Sequence, residues 1–314
     1  MRRIGVAWIL SGLFLGACDY RDFDSSDRYR SDFHYSYTLN PGGRLEVENF
    51  NGPVEITGWD QSRCDVTGVK YSSTGEMLGR IKIEVTHSAD RIDVRSVRPA
   101  GDFHGSLGVR YVIHVPRKTE LNRIASSNGS IQVEDIEGRA ELKTSNGRVR
   151  VESLNGMLTV HTTNGSIATD NVTGSALLDT RNGPISAERV CAGIEATTSN
   201  GSITVHFDDK ATASSTPSRF RTSNGKIDIT MPTRPKSEIR AETSNSSITL
   251  RLPPDTSAKI RAETSHGEVR SDFMADGDET DRRGGRHTLE ETIAGGGPLI
   301  DLHTSNGSIR LLRM

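Results

Sequence analysis

The 314-residue sequence predicts an all-β repetitive solenoid, built from coils of about 18–21 residues that each carry two short strands and an Asn-Gly turn. Three observations point there. Asn-Gly recurs at 128, 146, 164, 182 and 200, a strict spacing of 18. Apolar residues and threonines recur at fixed offsets from each asparagine, with the period-two alternation of strands that bury one face. Finally, 33% hydrophobic and 5% aromatic residues are too few for the thick core of an ordinary globule of this length. Disorder does not fit either, because 39 basic residues nearly cancel 41 acidic ones and leave a formal charge of −2. The same balance, with no interleaving of basic and aromatic residues, removes the electrostatic case for nucleic acid.

The chain opens with Arg2 and Arg3 before an apolar run from Ile4 to Leu15, too short to span a bilayer and arranged like a secretory signal. That run ends in Leu15-Gly16-Ala17-Cys18, which resembles the bacterial lipobox. Residues 1–17 are therefore expected to be a lipoprotein signal peptide, with Cys18 the lipidated residue and the lipid the contact with the membrane. Asp19 resembles the inner-membrane retention signal of enteric lipoproteins, and the outer membrane stays open as the alternative. Without Arg2 and Arg3, 37 basic residues face 41 acidic ones. Residues 18–35 mix charges, serines and aromatics without a period and are expected to form a flexible tether. Residues 36–127 are assigned to N-terminal β coils and a cap, and 128–270 to the regular repeats. A polar loop insert is expected at 271–294, and a terminal β coil at 295–314.

Aligned on the asparagine, the regular copies repeat in columns. Six residues before it stand Ala140, Leu158, Ala176 and Ile194; four before, Leu142, Val160, Leu178 and Ala196; two before, Thr144, Thr162, Thr180 and Thr198. Ile131, Val149, Ile167, Ile185 and Ile203 lie three after, and Ile136, Leu154, Val172 and Val190 eight after. Looser copies centre on 51, 224, 245, 266 and 306, which makes ten. At one interstrand spacing per coil, ten coils give a rod about 45–50 Å long. Asn-Gly is also a hairpin signal, so a stacked antiparallel β-meander is the alternative. Stacked identical columns favour the solenoid, since like side chains can then ladder along the stack. Few aromatics are expected because a large ring would not fit between the sheets.

Three stretches carry a family resemblance: L-E-V-E-N-F-N-G-P-V-E-I-T-G-W-D at 45–60, V-R-Y-V-I-H-V-P at 109–116, and G-G-G-P-L-I-D-L-H-T-S-N-G-S-I-R-L at 295–311. They are similar to the bacterial adhesin-like domain of unknown function, related to the toast-rack envelope-stress proteins and to the head domain of autotransporter-adhesin-like proteins. The resemblance covers nearly all of 40–314. It implies an extracytoplasmic, non-enzymatic β-solenoid and carries over no catalytic residue.

Outward columns supply the candidate sites. Glu134, Glu152, Asp170 and Glu188 lie six after consecutive asparagines, so parallel stacking lines up four carboxylates in steps of about 4.8 Å. Such a strip is a candidate for divalent cations or a basic partner, against the plainer reading of a solvated face neutralised by Arg148, Arg150 and Arg189. Asn128, Asn146, Asn164, Asn182 and Asn200 are read as a structural turn ladder, on the tolerance of asparagine and glycine for left-handed backbone angles, rather than as a glycan site. No catalytic residues, cofactor or resident metal are expected, since the histidines share no column and no nucleophile elbow occurs. Cys64 and Cys191, 127 residues apart, are expected to be free thiols. The leading function is a non-catalytic, adhesin-like envelope lipoprotein, a surface or periplasmic binding and scaffold module for an envelope protein or glycan, with a role in the envelope-stress response as its relatives suggest. A carbohydrate-active β-helix enzyme and a purely structural spacer are the alternatives. Trp59 is the only tryptophan outside the signal peptide, which counts against the enzyme.

Overall fold

The computed structural model describes residues 28–101, 104–209, 216–273 and 287–314. The chain begins with β1 (Tyr29–Thr38), β2 (Gly43–Asn49), β3 (Val54–Trp59), β4 (Arg63–Ser72), the short helix α1 (Gly75–Arg80), β5 (Lys82–Ser88), β6 (Arg91–Val97) and β7 (Leu107–Pro116). The regular part runs through β8 (Thr119–Ser126), β9 (Ile131–Glu137), β10 (Ala140–Asn146), β11 (Val149–Asn155), β12 (Leu158–Asn164), β13 (Ile167–Val172), β14 (Ala176–Asn182) and β15 (Ile185–Val190). Then come β16 (Ile194–Thr197), β17 (Ile203–Phe207), β18 (Ser218–Thr222), β19 (Ile227–Thr230), β20 (Ile239–Thr243) and β21 (Ile248–Leu252). The last elements are β22 (Ala258–Thr264), β23 (Val269–Ser271), β24 (Thr288–Ile293), β25 (Leu299–Thr304) and β26 (Ile309–Arg313).

These strands form two 13-stranded sheets, and each coil contributes one strand to each. Pairing between coils is parallel and in register at the 18-residue repeat: Leu142 faces Val160, Val160 faces Leu178, and Val149 lies between Ile131 and Ile167. That is a solenoid; the meander, which would pair successive strands antiparallel, is absent from the repeats. All the apolar columns read from the sequence are buried between the two sheets. Thirteen strands per sheet at about 4.8 Å spacing give a stack roughly 55–60 Å long, longer than ten coils imply, because each sheet adds two antiparallel end strands, β1 and β4 in one and β5 and β24 in the other, and because one coil escaped the Asn-Gly pattern. It is β6 with β7, whose connection through residues 98–106 has no Asn-Gly.

Inward positions fall three, five and eight after the asparagine, as at Ile131, Val133 and Ile136, which breaks strict alternation, and the backbone shows how. Asp135, Ser153, Asn171 and Arg189, each seven after a turn asparagine, have φ of 57°, 55°, 57° and 51°. A left-handed residue at this point rotates the strand, so the next residue, Ile136, Leu154, Val172 or Val190, again points inward.

Chain order and stacking order part at both ends. The coil β2–β3 lies between β6–β7 and β8–β9, although it precedes both in sequence. The C-terminal coil β25–β26 likewise slots between β20–β21 and β22–β23, so residues 295–314 hold the last-but-one coil rather than the end of the rod.

Two boundaries expected from sequence move. The tether does not reach residue 35: β1 pairs antiparallel with β4 from Tyr29↔Ser72 to Thr38↔Arg63. Its signal was an alternation of Phe33, Tyr35 and Tyr37 hidden in a polar string, and these half-buried rings cover the end of the core, with Phe33 edge-on to Tyr111 at 5.7 Å and Tyr37 stacked on His87 at 4.0 Å. Nor is 271–294 wholly a loop, since β24 pairs antiparallel with β22 and buries Leu289. The rest of that insert, 274–286, lies outside the described residues, as does Cys18. Large rings do fit the core: Tyr111 and Phe220 are fully buried.

Candidate functional site

The carboxylate column forms as the spacing requires, with Glu134, Glu152, Asp170 and Glu188 in successive register on β9, β11, β13 and β15. Each acid has its own partner. Gln132 Nε2 donates to Glu134 Oε1 at 2.6 Å, and Arg150 pairs with Glu152. Arg189 Nη2 lies 2.7 Å from Asp170 Oδ2, and His206 Nδ1 3.0 Å from Glu188 Oε2. Arginines thus neutralise Glu152 and Asp170 while Glu134 and Glu188 are hydrogen-bonded, and among the described residues no cluster of three or more His, Cys, Asp or Glu side chains could hold a metal ion.

At the Asn-Gly edge, each asparagine Nδ2 donates to the Oδ1 of the asparagine one coil back, at 2.7 Å from Asn146 to Asn128 and 2.8 Å for Asn164 to Asn146, Asn182 to Asn164 and Asn200 to Asn182. The ladder continues through Asn224 and Asn245 to Asn306, following stacking order rather than chain order. Inside it, Thr144, Thr180 and Thr198 donate to the carbonyls of Gly129, Gly165 and Gly183 at 3.0–3.1 Å. The glycines serve a different purpose from the one expected. None of Gly129, Gly147, Gly165, Gly183 or Gly201 has a left-handed φ, but a Cβ on Gly165 would lie 1.9 Å from Gly147 O. Close stacking of successive turns excludes any side chain there.

Burial of Asp228 would raise its pKa, but hydrogen bonds from Lys226 and Arg251 outweigh that and hold the carboxyl below its ordinary range. Cys64 is a free thiol buried in the core, and burial, with Asp65 nearby, pushes its pKa up to about 12; Cys191 is half-buried, and its Sγ donates to Arg189 O at 3.8 Å. A thiol so protonated is no nucleophile.

A feature the sequence reading passed over lies on the opposite edge, where sheet strands β3, β9, β11 and β13 turn back. Two hollows adjoin there. One, of about 240 Å³, is lined by Pro41, Trp59, Asp60, Pro116, Arg117 and Glu137 among others. The other, of about 190 Å³, shares Arg117 and Glu137 and runs on past Ser153, Asn155, Asn171 and Thr173. Arg117 bridges them, its Nε 2.9 Å from Asp60 Oδ1 and its Nη1 3.3 Å from Asp135 Oδ2. Hydrogen bonds to those two carboxylates, Asp60 first, raise its pKa above the ordinary guanidinium value. Trp59 is fixed by Nε1 donating to Arg63 O at 2.9 Å and by the His114 ring stacked 5.2 Å away. The signal was present in the sequence as two polar columns, seven and nine after the asparagines, but only the stack shows that they border one groove.

Comparison with known proteins then places the chain. A family profile, Toastrack DUF4097, matches residues 45–312. The chain belongs to this family. Solved structures that are similar include a candidate cell-adhesion protein from Clostridium sporogenes, with 12% identity and a TM-score of 0.24 over 90% of this chain and 100% of that one. Candidate adhesins from Bacteroides fragilis and Parabacteroides merdae share 13% and 7% identity over 90% of this chain, covering 97% and 96% of their own, with TM-scores of 0.43 and 0.33. No curated protein matches. Among the described residues of this Toastrack chain, no helix is long and apolar enough to cross a membrane.

Proposed function

We propose that this Toastrack protein is a non-catalytic binding and scaffold module of the bacterial cell envelope, anchored by lipid on Cys18 and acting in the envelope-stress setting that its family resemblance implies. The observation that supports the reading is the placement of the two ends. β1, which follows the expected signal and tether residues, lies at one end of the stack, and the antiparallel pair β22 and β24 lies at the other. An N-terminal lipid would therefore stand the rod on the membrane by one end, with its flanks and far end open to partners. Polar residues of the repeats are engaged with one another along the stack, as holding a shape requires, rather than gathered around a reacting centre.

The test is in-cell cross-linking of the full chain and its Cys18→Ser variant, followed by membrane fractionation and recovery of adducts. The native chain is expected in the membrane fraction with a reproducible adduct. A Cys18→Ser chain still held at the membrane would sink the anchor, and no adduct at all would favour the spacer.

A further inference from the structure

We infer that the groove on the edge opposite the asparagine ladder binds a carbohydrate chain, lying along the stack from Trp59 to Thr173. This rests on reading the chain as a binding module and names the ligand class and the site.

The lining selects the ligand. Charges in the groove nearly cancel, with Arg117 and Lys118 against Asp60, Asp135 and Glu137. A strongly charged polymer such as a nucleic acid gains little from that mixture. An extended peptide added as a strand needs a free sheet edge, yet β3, β9, β11 and β13 each have strand neighbours on both sides. What lines the groove is a sequence of amides and hydroxyls beside exposed Pro41 and the half-buried Trp59 indole, which carries the Arg63 guanidinium 5.0 Å from its ring centroid, while Pro116 is buried. Many weak hydrogen-bonding groups next to a small apolar surface is the complement of a pyranose chain, which has hydroxyls on its rim and C–H groups on its faces.

Geometry agrees with chemistry. Ser153 and Asn171 lie one coil apart on the left-handed column, and Asn155 and Thr173 one coil apart on the next. Successive coils therefore offer like groups at intervals of about 4.8 Å, close to the length of one sugar unit in an extended chain. Preorganisation is built in. Thr173 Oγ1 donates to Asn155 Oδ1 at 2.7 Å, and Arg117 is braced on both sides by carboxylates, with no protein bond to Nη2 among the described residues. Side chains already ordered lose little further freedom when a ligand arrives. The run of amides and hydroxyls ends at the next coil, where Arg189 and Cys191 stand in place of Asn171 and Thr173, so the groove has a defined length.

The experiment is calorimetric titration of the full chain with three uncharged oligosaccharides, cellohexaose, N-acetylated chitohexaose and mannohexaose. Saturable binding to at least one is expected, weakened tenfold or more by Trp59→Ala and by the double substitution Asn155→Ala with Thr173→Val, whose exposed positions leave the fold intact. Glu195→Gln, on the outer face of the other sheet, should bind like the native chain. No saturable binding to any of the three sugars, or binding untouched by both groove variants, overturns the inference. Absence of sugar binding together with a cross-linked envelope partner that survives the groove variants would keep the binding-module reading while removing this one.

Discussion

Phe220 shows how a single residue negotiates a core one coil wide. It stands in the column four before the turn asparagine, where Ala196 precedes it and Ala241 follows it in register. The ring is 1% exposed, so its bulk is taken up by two neighbours reduced to a methyl group. Rings are not forbidden in this core; this one fits because the residues above and below it are small. Replacing Phe220 by Ala leaves three consecutive alanines and a cavity, which should cost roughly 3–5 kcal/mol by denaturant unfolding. Adding Ala241→Leu to Phe220→Ala should return part of it, since the new side chain enters the same void. A loss below about 1 kcal/mol for Phe220→Ala would mean that the column collapses freely and that the alanines are not compensating.

At the scale of elements, the repeats were legible because every coil solves the same packing problem with the same columns. Ile131, Leu142, Ile167 and Leu178 were readable as core from offset alone, and all are buried. The ends were not, because an end coil has a neighbour on one side only and obeys a different rule. Phe33, Tyr35 and Tyr37 cover the core as an antiparallel strand, so they follow no 18-residue period and read as tether. The groove was legible as columns but not as a site, because Trp59 and Arg117 reach it from outside the regular repeats. Insertion of β25–β26 between earlier coils was invisible to an alignment that knows only chain order. It has a measurable consequence. C-terminal residues usually fray and exchange amide hydrogens quickly. Here Ile300, Leu302, Ile309 and Leu311 have paired strands on both sides, whereas β24 lies at the edge of its sheet. Hydrogen exchange should find the last coil as protected as the middle of the rod and slower than Thr288–Ile293. Exchange as fast in β25–β26 as in β24 would contradict the stacking order.

For the whole molecule, the composition that looked too poor for 314 residues becomes a statement of shape: a narrow core extended along one axis needs few and small apolar groups per coil. Stability in such an array is close to a sum of coil and neighbour terms, so a whole coil should be removable. Deleting residues 147–164 joins Asn146 to Gly165, restores an Asn-Gly turn, and brings Asn182 to the place beside Asn146 that Asn164 held. Every column keeps a like neighbour: Leu142 meets Leu178 and Ile131 meets Ile167. Deleting 147–155 also restores Asn-Gly, from Asn146 and Gly156, but moves every later strand into the opposite sheet and every later asparagine to the opposite edge. The ladder and the threonine bonds are then cut at the junction. The 18-residue deletion should keep the native circular-dichroism spectrum, lower Tm by only a few degrees and shorten the scattering envelope by one strand spacing, about 5 Å. The nine-residue deletion, though smaller, should lower Tm by about ten degrees or more, through several kcal/mol of lost pairing. If the two variants melted alike, the coil would not be the unit from which this protein is built.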